Sequence, residues 1–273
     1  TNLNQRGIVP NTDLNRNTFY TSVGRRIGNK FTVRANAMYV DGNSDNVPNA
    51  GYDESSSIMY GWLWYPRNLP IDRLRDYWRV EDEQQRNHES LWTNNPFFLV
   101  NENTNSYQRR RLFGNIKLQY DLSENFNIRY RFSADVNNES RQYRRAISTR
   151  GTPGERGSYR EDELFFREMN NELMLNYDMK NREGEFNLTA SVGANAMQQV
   201  SSETRNYAPG LNIPGLYSQG NALGNISTSA FDQEKRINSV FGLATLSYRN
   251  AIYLDVTARN DWSSTLPTDN NSY

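Results

Sequence analysis

Between Leu112 and Val136 apolar and polar side chains alternate across two runs, and this constrains the fold more than any other feature of the chain. Leu112, Ile116, Leu118, Tyr120 and Leu122 alternate with Asn115, Lys117, Gln119 and Asp121. After Ser123, Glu124 and Asn125, the residues Phe126, Ile128, Tyr130, Phe132, Ala134 and Val136 alternate with Asn127, Arg129, Arg131, Ser133 and Asp135. Successive side chains of a strand point to opposite faces, so period two in both runs predicts one long β-hairpin with an apolar and a charged face. The unit recurs. Residues 18–25 precede Phe31, Val33, Ala35, Ala37 and Tyr39; Leu173, Leu175, Tyr177 and Met179 precede Phe186, Leu188, Ala190, Val192, Ala194 and Ala196; Val240, Ala244, Leu246 and Tyr248 precede Ile252, Leu254, Val256 and Ala258.

Each alternation lasts roughly ten residues or more, where soluble strands average about 5–6 and about 9–11 tilted residues cross a bilayer. Turns within hairpins are short, whereas residues 41–108, 139–163 and 201–234 read as long connections. Short turns on one rim and long loops on the other describe an antiparallel transmembrane β-barrel. Tyr120, Phe126, Tyr177, Phe186 and Tyr248 flank the short turns, as girdle residues at a membrane boundary do. A wet barrel interior also accounts for composition: only 36% of residues are apolar, against roughly 45–50% in an ordinary globular domain. A soluble sandwich with one solvated face per sheet is the competing architecture.

Several function classes drop out. The 31 Lys and Arg balance 31 Asp and Glu, which argues against a nucleic-acid partner. No cysteine and one histidine, His88, leave no thiolate or His-based metal site and no Ser/His/Asp triad. Glu81 with Glu83 and Glu161 with Asp162 lie in charged sequence with no apolar pocket to raise a carboxyl pKa, so no catalytic residue and no cofactor is assigned. Asp41, Asn43 and Asp45 have the spacing of a calcium loop, but the glycine is at position 42 and Tyr52 stands where a bidentate Glu is needed. Gly151, Gly154 and Gly157 read as a flexible loop tip. No run of about 18 apolar residues predicts a membrane helix. Residues 1–10 do not resemble a signal peptide, as expected of a cytosolic protein or of a processed or partial chain.

The longest connection carries Trp62, Trp64, Trp78 and Trp92, with Tyr60, Tyr65 and Tyr77 close by. Ile71, Leu74, Tyr77 and Trp78 fall at helical spacing behind Pro70, which predicts a short helix over residues 70–83. The rings form either a platform for a sugar or peptide or the loop's own small core. A long ordered loop must bury something, which favours the core.

Two stretches resemble a known family. Asn95-Pro96-Phe97-Phe98-Leu99-Val100-Asn101-Glu102-Asn103 with residues 109–120, and the closing Arg259-Asn260-Asp261-Trp262-Ser263-Ser264, resemble segments of the SusC/RagA-type TonB-dependent transporters. The closing words match that family's Arg-x-Asp-x-Ser-Ser signature, with Trp262 where Gly is common. The order of elements between them is also similar, including the stretch 70–77 and the Pro-, Gly- and Asn-rich loop 207–217. The resemblance implies an outer-membrane barrel of about 22 strands in a Gram-negative, Bacteroidetes-like bacterium. It further implies an N-terminal plug that contacts TonB and a SusD-like surface lipoprotein as lid, together importing glycans or peptides. Residues 1–273 then form part of one barrel domain, about eight strands, with the plug, the TonB-contacting segment and the closing strands outside it. Trp62, Trp64, Tyr65, Trp78 and Trp92 become candidates for facing substrate or lid. The alternatives are a soluble β-rich carbohydrate-binding module and a closed eight-stranded outer-membrane barrel. Where the apolar stripes face separates them.

Overall fold

The computed structural model describes residues 1–88, 93–152, 155–180, 185–249 and 251–272. Its main sheet contains β1 (Asn2–Arg6), β2 (Asp13–Ile27), β3 (Phe31–Ser44), β6 (Asn105–Asp121), β7 (Phe126–Ile147), β8 (Arg156–Lys180), β9 (Phe186–Ala208), β10 (Ser227–Tyr248) and β11 (Ile252–Ser263). Between β3 and β6 lie α1 (Ile58–Leu63), a 3-10 turn (Ile71–Leu74), a small ribbon of β4 (Trp78–Val80) and β5 (Gln84–Gln85), and α2 (Pro96–Glu102). Strands pair antiparallel with their neighbours in order, so the sheet is an up-and-down meander, and it does not close: β1 and β11 are its edges. All eight expected hairpin strands are present. The ninth, β1, reads Asn-Leu-Asn-Gln-Arg and lies exposed along β2, too short and too polar to show an alternation.

Register turns the alternation within strands into two continuous faces. Leu118 lies opposite Tyr130, Tyr130 opposite Leu173, Leu173 opposite Ala194 and Ala194 opposite Val240. One face therefore carries a belt of apolar side chains from β2 to β11. At the short-turn rim, cross-strand aromatic pairs close the belt: Phe31 opposite Tyr120, Phe126 opposite Tyr177 and Phe186 opposite Tyr248. The last two pairs have ring centroids 4.5 and 4.7 Å apart. At the other boundary Asp41, Arg110, Asn138, Asn238 and Asn260 take the positions of the same face. The belt is about ten residues high, about 25 Å at the usual strand tilt.

The opposite face is held by polar ladders. Asn176 donates to Asn127 and accepts from Ser191, both at 2.8 Å. Arg131 pairs with Glu172 at 2.7 Å and Arg111 with Asp135 at 2.5 Å, and Arg129 donates to the Met174 sulfur at 2.8 Å. Each arginine meets its partner across a strand pair, which satisfies donors that an apolar core would leave orphaned.

Two expectations fail for the same reason. Residues 139–163 and 201–234, expected as long connections, are mostly strand; only residues 148–155 and 209–226 link the ends. Above the belt both faces meet water, so polar residues occupy both and the period-two signal disappears although the backbone ladder continues. Cross-strand contacts persist there, as in Arg109 Nε donating to Glu139 Oε2 at 2.6 Å and Ser140 Oγ to Glu163 Oε1 at 2.7 Å. The 25 residues of β8 reach about 80 Å, more than twice what a bilayer crossing needs. The helix expected over residues 70–83 is instead one 3-10 turn followed by the β4–β5 ribbon. Asp82, at φ 57°, makes the tight turn of that ribbon.

Candidate functional site: a loop cap at the outer rim

The cap begins where a strand runs out. β6 stops at Asn105, opposite Tyr143, so the last residues of β7 lose their neighbour on that side. The chain entering β6 fills the gap: Thr104 O accepts from Arg144 N at 2.9 Å, and Asn103 Oδ1 accepts from Ala146 N at 2.9 Å and Thr149 Oγ1 at 3.0 Å. Asn103 Nδ2 donates to Ser55 O at 2.8 Å, tying in the segment before α1.

α2 starts at Asn95, whose Oδ1 accepts from Phe97 N at 2.8 Å, with Pro96 in the first turn. Pro at that position is preset for a helix and gives up a donor that would be orphaned anyway. Asn95 is fully buried, and its Nδ2 donates to Leu74 O at 2.9 Å and Arg86 O at 2.8 Å. Three segments of the loop meet on one amide. Asn94 works alongside it, accepting from Gln85 Nε2 at 2.6 Å and Arg150 N at 2.8 Å. The Asn95-Pro96 pair is the signal in the sequence for this helix start.

The predicted aromatic residues separate. Trp78 packs edge-on against Phe98 with centroids 5.2 Å apart, in a cluster with Leu99, Ala146 and Tyr77. Trp62 meets Phe97 at 6.1 Å and Tyr65 at 5.8 Å, and Tyr65 also stands edge-on to the His88 ring at 5.2 Å. These rings form the loop's own core. Trp64 is 54% exposed and is the open indole among the described residues of the loop. Trp92 lies outside the described residues.

Burial tunes the cap's ionisable groups. Tyr77 is pushed up to about 12 by burial and by its 2.9 Å hydrogen bond to Glu102. Burial and nearby Asp82 raise the Glu102 carboxyl, against that hydrogen bond. Burial would raise Asp53, but hydrogen bonds from Ser56 and Ser55 and the field of Arg145 outweigh it and hold the carboxyl low. Burial depresses Arg145.

Among the described residues, two clefts on the cap stand out. One, about 720 Å³, lies between the β4–β5 ribbon and the 148–155 connection, with Gln85, His88, Ser148 and Arg150 in its walls. The other, about 440 Å³, lies on the polar face at the outer ends of β7 to β10, beneath Asp53 and Asn49, and is walled by Arg145, Arg160 and Arg205. No group of three metal-binding side chains occurs among the described residues. Asp45 instead donates its backbone N–H to Asp13 Oδ1 at 3.0 Å, while Asp41 and Asn43 are strand residues of β3. Gly151 and Gly157 have φ of 80° and 74°, and a Cβ on Gly157 would stand 2.5 Å from Arg145 O. These glycines fit a left-handed backbone and a close approach; Gly154 lies outside the described residues.

No family model matches the chain. The TonB-dependent receptor P26 of Formosa agariphila is 27% identical over 98% of this chain, which spans 26% of that protein. Among solved structures, the RagAB peptide transporter superposes with a TM-score of 0.79 at 16% identity, over 100% of this chain and 30% of its own. BauA, the ferric preacinetobactin receptor of Acinetobacter baumannii, superposes with a TM-score of 0.56 at 12% identity, over 97% of this chain and 37% of its own. The open meander with its apolar belt, the closing Arg-x-Asp-x-Ser-Ser words and these likenesses agree: the chain is folded as a segment of a SusC/RagA-type TonB-dependent transporter barrel.

Proposed function

We propose that this chain is part of an outer-membrane, TonB-dependent importer of glycans or peptides that works with a SusD-like surface lipoprotein. The observation that carries the reading is the two-faced sheet: an apolar belt of bilayer height, bounded by aromatic pairs, backed by a face of charged and amide side chains. Such a sheet suits lipid on one side and water on the other. The likeness to a protein named a TonB-dependent receptor supports the direction and energy source. No covalent step is required. Cargo is gathered at the outer rim, and a pull on a plug from the periplasm opens a path along the polar face.

The cap sits where a lid would press. Trp64 and the surrounding rim of the 45–104 loop offer exposed aromatic area, which buries large surface at low entropic cost at interfaces. Deleting residues 53–87 is expected to weaken lid association and uptake while the barrel still inserts, read by co-purification of the lid and by cargo uptake in cells. The function itself is tested by uptake in cells lacking TonB: import is expected to stop. Unchanged uptake without TonB would overturn it.

A further inference from the structure

Arg145 is the one wall of the 440 Å³ cleft whose charge lacks a counterion at contact distance among the described residues. It is 8% exposed, and its Nη1 donates to main-chain carbonyls, Arg144 O at 2.8 Å and Thr104 O at 3.5 Å. No carboxylate lies within 4.0 Å of it among the described residues, and no acceptor meets its Nε or Nη2 there. Its neighbours are fastened. Arg160 is held by Asp162 and lies over the Tyr143 ring at 4.5 Å; Arg205 is held by Glu203. Asp53, the acid beside Arg145 in the cleft, is occupied by Ser55, Ser56 and Asn49. Asp53 stands near enough to feel its charge but makes no contact ion pair with it, and the planar fork of a guanidinium lining a cleft suits a carboxylate or sulfate in two-point contact.

We infer that this cleft is a subsite for an acidic sugar residue of the cargo, a uronate or a sulfated sugar, with Arg145 as its anion-binding fork. The rest of the wall favours a sugar over a peptide. Ser158, Ser227, Ser229 and Asn49 line it with hydroxyl and amide groups, and no aliphatic side chain does. Its volume of about 440 Å³ has room for a sugar unit with its acidic substituent. The cleft lies on the polar face above the apolar belt and beneath the cap, where cargo moving from rim to interior passes. This assignment rests on the import reading for its cargo, but its test does not depend on transport.

The test uses the complete natural protein in detergent, with titration calorimetry of a glucuronate-bearing disaccharide, a sulfated one, their neutral parent and a free-acid tripeptide. The acidic sugars should bind at least about ten-fold tighter than the neutral parent, and more weakly as salt rises. Arg145→Gln should erase that preference and Arg145→Lys restore part of it. If loss of Arg145 disturbs the cap, Ser229→Asp places a competing carboxylate at an exposed position opposite Arg205 and should cost the acidic sugars about ten-fold while sparing the neutral one. Arg34→Gln, on the polar face of β3 and outside the cleft, should change nothing. Whichever acidic sugar binds tighter identifies the anion. Equal binding of acidic and neutral sugars, an unchanged preference in Arg145→Gln and Ser229→Asp, or a preference for the tripeptide would each overturn the inference. TonB-independent uptake with the preference intact would overturn the import reading and leave the subsite standing.

Discussion

Asn95 joins the cap at a single side chain: one oxygen starts α2, and the amide nitrogen satisfies the carbonyls of Leu74 and Arg86 in otherwise separate segments. Replacing it with Ala removes a helix cap and strands two acceptors, a cost of roughly 2–4 kcal/mol for the cap. Limited proteolysis in native membranes should then cut the 45–104 loop while the barrel stays intact. Asn95→Asp, which keeps the capping oxygen and loses the donor, should fall between. Glu102 makes the cap sensitive to pH. Its folded pKa is raised, so its contribution to stability is complete below the unfolded carboxyl value of about 4.3 and is lost as pH rises through the folded value. Asp53, held low, has the opposite sign, present above about 3.9 and lost as pH falls. Glu102→Gln should therefore protect the cap from protease at neutral pH relative to the native chain and flatten the dependence on the acid side of neutrality. An unchanged pH profile in that variant would place the titration elsewhere.

At the scale of elements, the belt on one face of β7 makes a directional statement. Tyr130 lies on the apolar face between Leu118 and Leu173, and Ser133 on the polar face between Asn115 and Asn170. Arg at a lipid-facing midplane position costs about 2–4 kcal/mol, whereas a wet face accepts it. Tyr130→Arg should lower the yield of heat-modifiable, membrane-inserted protein, and Ser133→Arg should leave it near normal. What was legible in the sequence follows the same line. Phe126 to Val136 could be read because lipid and water impose opposite demands on alternate residues. Residues 137–147 could not, because water on both sides removes the contrast and leaves Asn, Glu, Ser, Gln and Arg in both registers. The apolar spacing of Ile71, Leu74, Tyr77 and Trp78 suggested a helix, but it reflects packing against α2: Leu74 is buried beside Asn95, and Trp78 leans on Phe98 from a strand. The cleft around Arg145 was out of reach, since it needs Arg145, Arg160 and Arg205 brought together by a register that no local pattern announces.

For the whole molecule, the open sheet is the decisive feature. The outer edges of β1 and β11 have no strand partner in the main sheet, and a bare edge in hydrocarbon leaves backbone groups unsatisfied. The chain spans about a quarter of the curated relative it matches, and 30% of the RagAB chain, whose structure carries the same meander. Closure by further strands is what we propose for the complete protein, since it would remove the cost of the two edges. One face of this meander should meet lipid and the other water, and the lack of cysteine in the chain makes the two environments directly measurable. Single cysteines at Ile128, Tyr130, Phe132 and Ala134, and at Asn127, Arg129, Ser133 and Asn137, carry a spin label in the complete protein in native membranes. Collision with oxygen dissolved in lipid should peak at the first set, and collision with a water-soluble nickel chelate at the second, in strict two-residue alternation. Chelate access to both sets, or no alternation, would mean that the apolar face does not meet lipid.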